Sequence, residues 1–81
     1  MKGERNPMQD FLRNRRKQLK LSLEDISKKT KVSTAIISQY ERNIKYPTAT
    51  VLYDLKEAYE MTDVELLQWL EFINQNKKEN N

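Results

Sequence analysis

The sequence predicts an all-α domain of five helices, in which helices two and three form a helix-turn-helix. Two observations favour this fold. Ser22 and Ser33 each precede apolar residues at helical spacing, and a serine in that position accepts a hydrogen bond from the first turn of a helix. Only Lys31 and Val32 separate the end of the first segment from the cap of the second. A connection this short joins two helices that cross at a tight turn.

The central pair is predicted to span about Leu23 to Thr30 and about Thr34 to Arg42. Asn43 tolerates the left-handed backbone conformation and is expected to end helix three. The inward positions carry Ile26, Thr30, Val32, Ile37 and Tyr40, whereas the outward face of helix three carries short or amide side chains: Thr34, Ala35, Ser38 and Gln39. Side chains of this kind suit base edges in a major groove.

The other helices are predicted on either side of this pair. Asn6 as cap and Pro7 at the first helical position open helix one, Thr48 opens helix four, and Thr62 caps helix five. Helix four is expected to end near Tyr59. We therefore expect a flexible arm over residues 1–5, a domain over 6–75 whose apolar last helix covers 62–75, and a disordered tail over 76–81.

Composition excludes several function classes. The 81 residues make one small domain, with little room for an enclosed active site. The chain has no Cys and no His, which excludes disulfides, thiolate chemistry, the common zinc sites and histidine-based catalysis. No apolar run reaches the length of a signal peptide or of a membrane span. We expect a cytoplasmic protein that is not an enzyme and has no metal, cofactor, small-molecule ligand or membrane partner.

Charge is distributed unevenly along the chain. Residues 1–47 carry twelve Lys or Arg against five Asp or Glu, and residues 48–81 carry three against seven. The basic part contains the predicted helix-turn-helix. This segregation is typical of a protein that binds a polyanion in one orientation.

From about Met8 to Leu67 the sequence resembles the lambda repressor/Cro-like (XRE-like) helix-turn-helix family. The matching residues are Leu12, Arg13, Arg16, Leu21, Ser22, Ile26, Val32, Ser33, Ile37, Ser38, Glu41, Arg42, Pro47, Thr48, Leu52, Leu55, Met61, Thr62, Glu65, Leu66 and Leu67. The resemblance implies a compact five-helix fold, double-stranded DNA as partner, and an ion pair between Arg16 and Glu41 inside the domain. Leu23 departs from the family, which usually has a phosphate-contacting Gln there; Lys31 and Asn43 stand at usual glycine positions.

Gln39 is the best candidate for base readout, because an amide can bond adenine at two atoms. Thr34, Ala35 and Ser38 are further candidates, and Ile36 either meets a thymine methyl or packs against helix two. Phosphate contacts are expected from Ser22, Lys28, Ser33, Arg42 and Lys45.

Helix five is apolar around more of its circumference than one small core requires. Trp69, Leu70, Phe72 and Ile73 are expected to form the interface of a homodimer; alternatively, they pack against helix one of their own chain. The sequence therefore predicts a transcriptional regulator, a dimeric repressor that occludes a promoter by binding a palindromic operator. The rival is a protein-interaction module, such as an antitoxin, that binds a partner protein through helix five.

Overall fold

The computed structural model describes residues 7–79, which form five helices joined by short turns. They are α1 (Phe11–Gln18), α2 (Leu23–Thr30), α3 (Thr34–Glu41), α4 (Ala49–Ala58) and α5 (Asp63–Glu79). No strand occurs within the described range. The predicted all-α fold and its helix-turn-helix of α2 and α3 are confirmed.

Three helices begin at side-chain caps that the sequence predicted. The Ser22 hydroxyl accepts a hydrogen bond from the Asp25 backbone N–H at 3.0 Å, and the Ser22 N–H donates to the Asp25 carboxylate at 2.8 Å. Thr62 and Glu65 form the same reciprocal box at the start of α5, at 3.1 and 2.9 Å. The Ser33 hydroxyl accepts from Ile36 N–H at 3.2 Å. These bonds satisfy donors that a helix start otherwise leaves without partners.

Four helices end at a residue in the left-handed conformation, and none of the four is glycine. Lys20, Lys31, Asn43 and Glu60 have φ values of 60°, 62°, 62° and 52°. After α1, α3 and α4, the backbone N–H of the residue that follows the left-handed one donates to a carbonyl of the last helical turn. The Leu21 N–H, for example, donates to the Arg16 carbonyl at 3.1 Å. These helices thus end abruptly, although the left-handed conformation of a non-glycine residue costs on the order of 1 to 2 kcal/mol of folding free energy.

Two helix boundaries differ from the sequence prediction. α1 begins at Phe11 and not at Pro7, because Pro7–Asp10 form turns; Asn6, its expected cap, and the expected arm lie outside the described residues. α5 continues to Glu79, so the chain remains helical four residues beyond the predicted domain end at residue 75. The polar composition of 76–81 predicted a disordered tail, but residues 76–79 continue a helix that is packed on the core; residues 80–81 lie outside the described residues.

The core is built mainly from the inward faces of α2, α3, α4 and α5, closed by Leu12 of α1. Its buried residues are Leu12, Ile26, Ile37, Tyr40, Leu55, Ala58, Tyr59, Met61, Trp69, Phe72 and Ile73. Trp69 is 1% exposed, and Phe72 and Ile73 are each 7% exposed. These three side chains fill the core of their own chain, so the expectation that they form a seam with a second subunit is not met. Leu70, the fourth member of that set, is half-buried.

An ionic network under α1 fixes the end of α3. Arg16 Nε donates to Glu41 Oε2 at 2.7 Å, and its Nη2 donates to Oε1 at 3.0 Å. The buried Tyr59 hydroxyl donates to Glu41 Oε2 at 2.7 Å. Burial, followed by the hydrogen bond to Glu41, raises the pKa of Tyr59, so the phenol stays protonated at neutral pH. Each Glu41 oxygen therefore has a partner, which offsets the cost of burying its charge.

A second arginine links α1 to α4 and α5. Arg15 donates to the carbonyls of Tyr59 and Glu60 at 3.2 and 2.8 Å, and it pairs with Glu65. Its guanidinium also lies 5.2 Å from the Phe11 ring centroid. Arg15 therefore binds both the carboxyl end of α4 and the first turn of α5.

Candidate nucleic-acid interface

The turn between α2 and α3 is held by one buried threonine. Thr30 Oγ1 donates to the Ile26 carbonyl at 2.9 Å and accepts from the Val32 N–H at 3.3 Å. Lys31 adopts the left-handed conformation between them. With Ile26 and Ile37 both fully buried, the two helices pack closely and α3 is fixed in direction. A rigid helix is what base readout requires, because contacts to base edges depend on a fixed docking geometry.

The four predicted base-contact residues lie together on the outer side of α3. Ala35 is exposed, and Thr34, Ser38 and Gln39 are half-buried. Ile36, whose role the sequence left open, is half-buried and packs against the core cluster. The outer side of α3 therefore carries short side chains and one amide, whereas Ile36 packs inward.

The five predicted phosphate-contact residues fall into two groups. Lys28, Arg42 and Lys45 are exposed, with side chains open to an approaching polyanion. Ser22 and Ser33 are also exposed, but their hydroxyl oxygens already accept the capping bonds, so each has only its hydroxyl proton left to donate. The Ser22 backbone N–H donates to Asp25 and is not available to a phosphate.

Asp25 places a carboxylate at the start of α2. The hydrogen bond from the Ser22 backbone N–H is the largest cause that lowers the pKa of Asp25 below its usual value, so the group is ionised at neutral pH. A negative charge already compensates this helix terminus, which makes it less attractive to a phosphate than an uncapped one.

A groove of about 360 Å³ opens between α1, α2 and α3, on the side where Ser38 lies. Arg13 and Arg42 line it together with Leu23, whose side chain is half-buried against the core. Leu23 therefore contributes an apolar wall and not a polar contact at this position.

The loop that follows α3 is tied to the domain at several points. Asn43 Nδ2 donates to the Gln9 carbonyl at 2.8 Å, and the Ile44 N–H donates to the Gln39 carbonyl at 2.9 Å. Beyond Lys45, the Tyr46 hydroxyl accepts a hydrogen bond from Asn76 Nδ2 at 2.6 Å. This last contact was not predicted, because Asn76 was assigned to the tail.

Comparison with known protein families identifies this arrangement. The helix-turn-helix family profile, that of the XRE/lambda repressor-like proteins, matches residues 12–67. The chain belongs to this family. It is a DNA-binding transcription regulator in the general sense that the family supports. No curated protein and no solved structure gives a significant match.

Residues 7–79 contain neither a membrane-spanning helix nor a cluster of metal ligands. Residues 7–79 contain no helix with the length and apolar character needed to cross a bilayer. The acidic side chains in the same range form no group of three that would hold a metal ion.

Proposed function

We propose that this protein is a homodimeric repressor that binds a palindromic operator. α3 enters the major groove, and Thr34, Ala35, Ser38 and Gln39 face the bases. The observation that carries this proposal is that these side chains share the outer side of a helix whose inner side is fixed by fully buried residues. Such a helix presents a defined pattern of donors, acceptors and methyl groups to DNA.

Phosphate contacts orient this helix on the duplex. Lys28, Arg42 and Lys45 supply cations on α2 and on the segment after α3, and Ser22 and Ser33 supply hydroxyl protons at two helix starts. Backbone contacts of this kind position a protein without reading sequence.

The proposed dimer contact lies on the outer face of α5. Val64 and Leu67 are 63% and 66% exposed and stand three residues apart, so they share one face of the helix. The half-buried Leu70 continues this face, and the three side chains border one shallow depression. We call Val64, Leu67 and Leu70 the outer α5 face.

The partner that we propose for the outer α5 face is a second copy of this chain. One helix-turn-helix reads only a few base pairs, and two must be held with their recognition helices about 34 to 36 Å apart to read successive major grooves. A single face used by both copies gives the twofold symmetry that a palindromic operator mirrors. Occupancy of such an operator within a promoter would block transcription.

The rival function is a protein-interaction module that docks a partner protein, as an antitoxin does, on the same face. The exposed Val64 and Leu67 favour it as much as they favour self-association. The two functions lead to different expectations for the isolated protein. A dimeric repressor should be a dimer in solution and should enrich an inverted repeat from a random pool. An interaction module should be a monomer and should enrich no inverted repeat.

The test combines selection from a random duplex pool with light scattering of the free protein. Leu67→Glu should convert a dimer to a monomer and weaken binding to the selected sequence, because it places two carboxylates in an apolar contact. Tyr53→Glu is the matched control, since Tyr53 is 65% exposed on α4. The proposal is refuted if no sequence is enriched, or if both variants have the mass and affinity of the wild type.

A further inference from the structure

The last turns of α5 contact the loop that follows the recognition helix. Asn76 Nδ2 donates to the Tyr46 hydroxyl at 2.6 Å, and Lys77 Nζ lies 5.8 Å from the centroid of the Tyr46 ring. We call these three residues the α5 brace. Asn76 and Lys77 lie beyond the stretch matched by the family profile, which ends at residue 67.

The loop has anchors on both sides of its exposed lysine. On one side, Asn43 and Ile44 are bonded to the Gln9 and Gln39 carbonyls. On the other side, Tyr46 is held by α5. Lys45 lies between the two sets of anchors, with its side chain in solvent and its backbone N–H directed at the Gln39 carbonyl at 3.4 Å. Loss of the α5 contact would remove one restraint on the backbone that carries Lys45.

We infer that Asn76, acting through the Tyr46 hydroxyl, is a positioning residue that holds Lys45 where it contacts a DNA phosphate. This inference rests on the proposed function, and it extends the DNA-binding machinery to the C-terminal turns of α5. A lysine side chain is long and flexible, so its contact depends on the placement of the backbone beneath it. The brace fixes that placement from outside the helix-turn-helix.

If Asn76 and the Tyr46 hydroxyl only stabilised the fold, different results would be expected. Asn76 and Tyr46 are half-buried, and neither is among the fully buried core residues. Tyr46→Phe keeps the ring that packs on the core and removes only the hydroxyl. If that hydroxyl served stability alone, its loss would lower the melting temperature and leave the number of phosphate contacts unchanged.

The experiment measures affinity for the selected operator against salt concentration. The variants are Tyr46→Phe and Asn76→Ala, and their controls are Tyr53→Phe and Asn74→Ala, whose parent side chains are exposed on α4 and α5. Each phosphate contact contributes about −0.9 to the slope of log K against log salt. Both brace variants should make the slope less negative by about 0.9, which is roughly an eightfold loss at 0.1 M salt relative to 1 M. The controls should match the wild type.

A double-variant cycle with Lys45→Ala isolates the coupling. If the brace acts through Lys45, Tyr46→Phe should have no further effect on affinity or slope once Lys45 is alanine. Independent, additive losses would overturn the inference, as would a wild-type slope in both brace variants. Those results leave the proposed function standing, whereas a wild type that binds no duplex overturns both.

Discussion

Replacement of Arg16 by alanine tests the internal network most directly. Arg16 donates two hydrogen bonds to Glu41 and a third to the Leu21 carbonyl at 3.1 Å. The side chains of Arg16 and Glu41 are 14% and 5% exposed, respectively. The variant would leave a buried carboxylate without its cation and would loosen the end of α3 from α1.

The expected loss follows from what remains around Glu41. Removing one partner of a buried ion pair typically costs about 3 to 5 kcal/mol. Here the Tyr59 hydroxyl still donates to Glu41 at 2.7 Å, and the Arg16 side chain is 14% exposed, so the pair is not completely buried. We therefore expect a loss near the lower end, about 3 kcal/mol, which is a large fraction of the roughly 5 to 15 kcal/mol that stabilises a typical domain.

Urea unfolding of the wild type and three variants measures this loss. Arg13→Ala is the matched control on the same helix, because Arg13 is exposed; it should change the free energy of unfolding by no more than about 0.5 kcal/mol. The paired change Arg16→Met with Glu41→Leu should recover only part of the loss, since it removes both charges together but leaves the buried Tyr59 hydroxyl without its acceptor. Equal, small losses in Arg16→Ala and Arg13→Ala would refute the reasoning.

Four further predictions concern other parts of the molecule. Gln39→Ala should cost about 1 to 3 kcal/mol on the selected operator and relax preference at one base pair per half-site, whereas Lys45→Ala should weaken all sequences alike in a binding titration. Trp69→Ala should lower the free energy of unfolding by about 3 to 5 kcal/mol, while light scattering of the folded protein still gives the wild-type mass. Lys31→Gly should raise stability by up to about 1 kcal/mol in thermal melts, because glycine adopts the left-handed conformation without strain. The hydrogen bond from the Thr62 backbone N–H, followed by the one from Arg15, lowers the pKa of Glu65. Ionised Glu65 therefore stabilises the fold above its unfolded pKa of 4.5, and this stabilisation is lost as the pH falls through the folded pKa. In Glu65→Gln, the free energy of unfolding should fall less steeply over this acidic range.

Local chemistry explains how far the sequence could predict the fold. The caps at Ser22, Ser33 and Thr62 are decided by residues within one turn, so their helices start where the sequence indicated. The stop at Asn43 is equally local. The start of α1 could not be predicted in the same way, because a proline such as Pro7 is as common in a turn as at the first position of a helix.

The roles of long side chains could not be predicted from spacing. Arg15 and Arg16 are adjacent in the sequence, yet Arg16 reaches α3 and Arg15 reaches α4 and α5. The Arg16–Glu41 pair was expected only because of the family resemblance. Which neighbour an arginine meets depends on how the helices are placed in space, and helical periodicity carries no such information.

The same limitation explains the reassignment of surfaces on α5. Composition showed an excess of apolar residues but could not show which of them face the core. In the structure Trp69 is buried, Leu67 is exposed, and Asn76 reaches the loop after α3. One helix thus presents an inner face to the core, an exposed outer face, and its last turns to the loop after α3.

These uses are mechanically connected if the proposed dimer forms. At 1.5 Å per residue, Leu67 and Asn76 lie roughly 14 Å apart along one helix. A dimer contact near Leu67 would set the direction of α5 relative to the twofold axis, and therefore the separation of the two recognition helices. The brace at Asn76 would fix the loop that carries Lys45 in the same frame. Subunit pairing and phosphate contact would then share one rigid element, so a change in α5 at either end should affect DNA affinity while leaving the bases read by α3 unchanged.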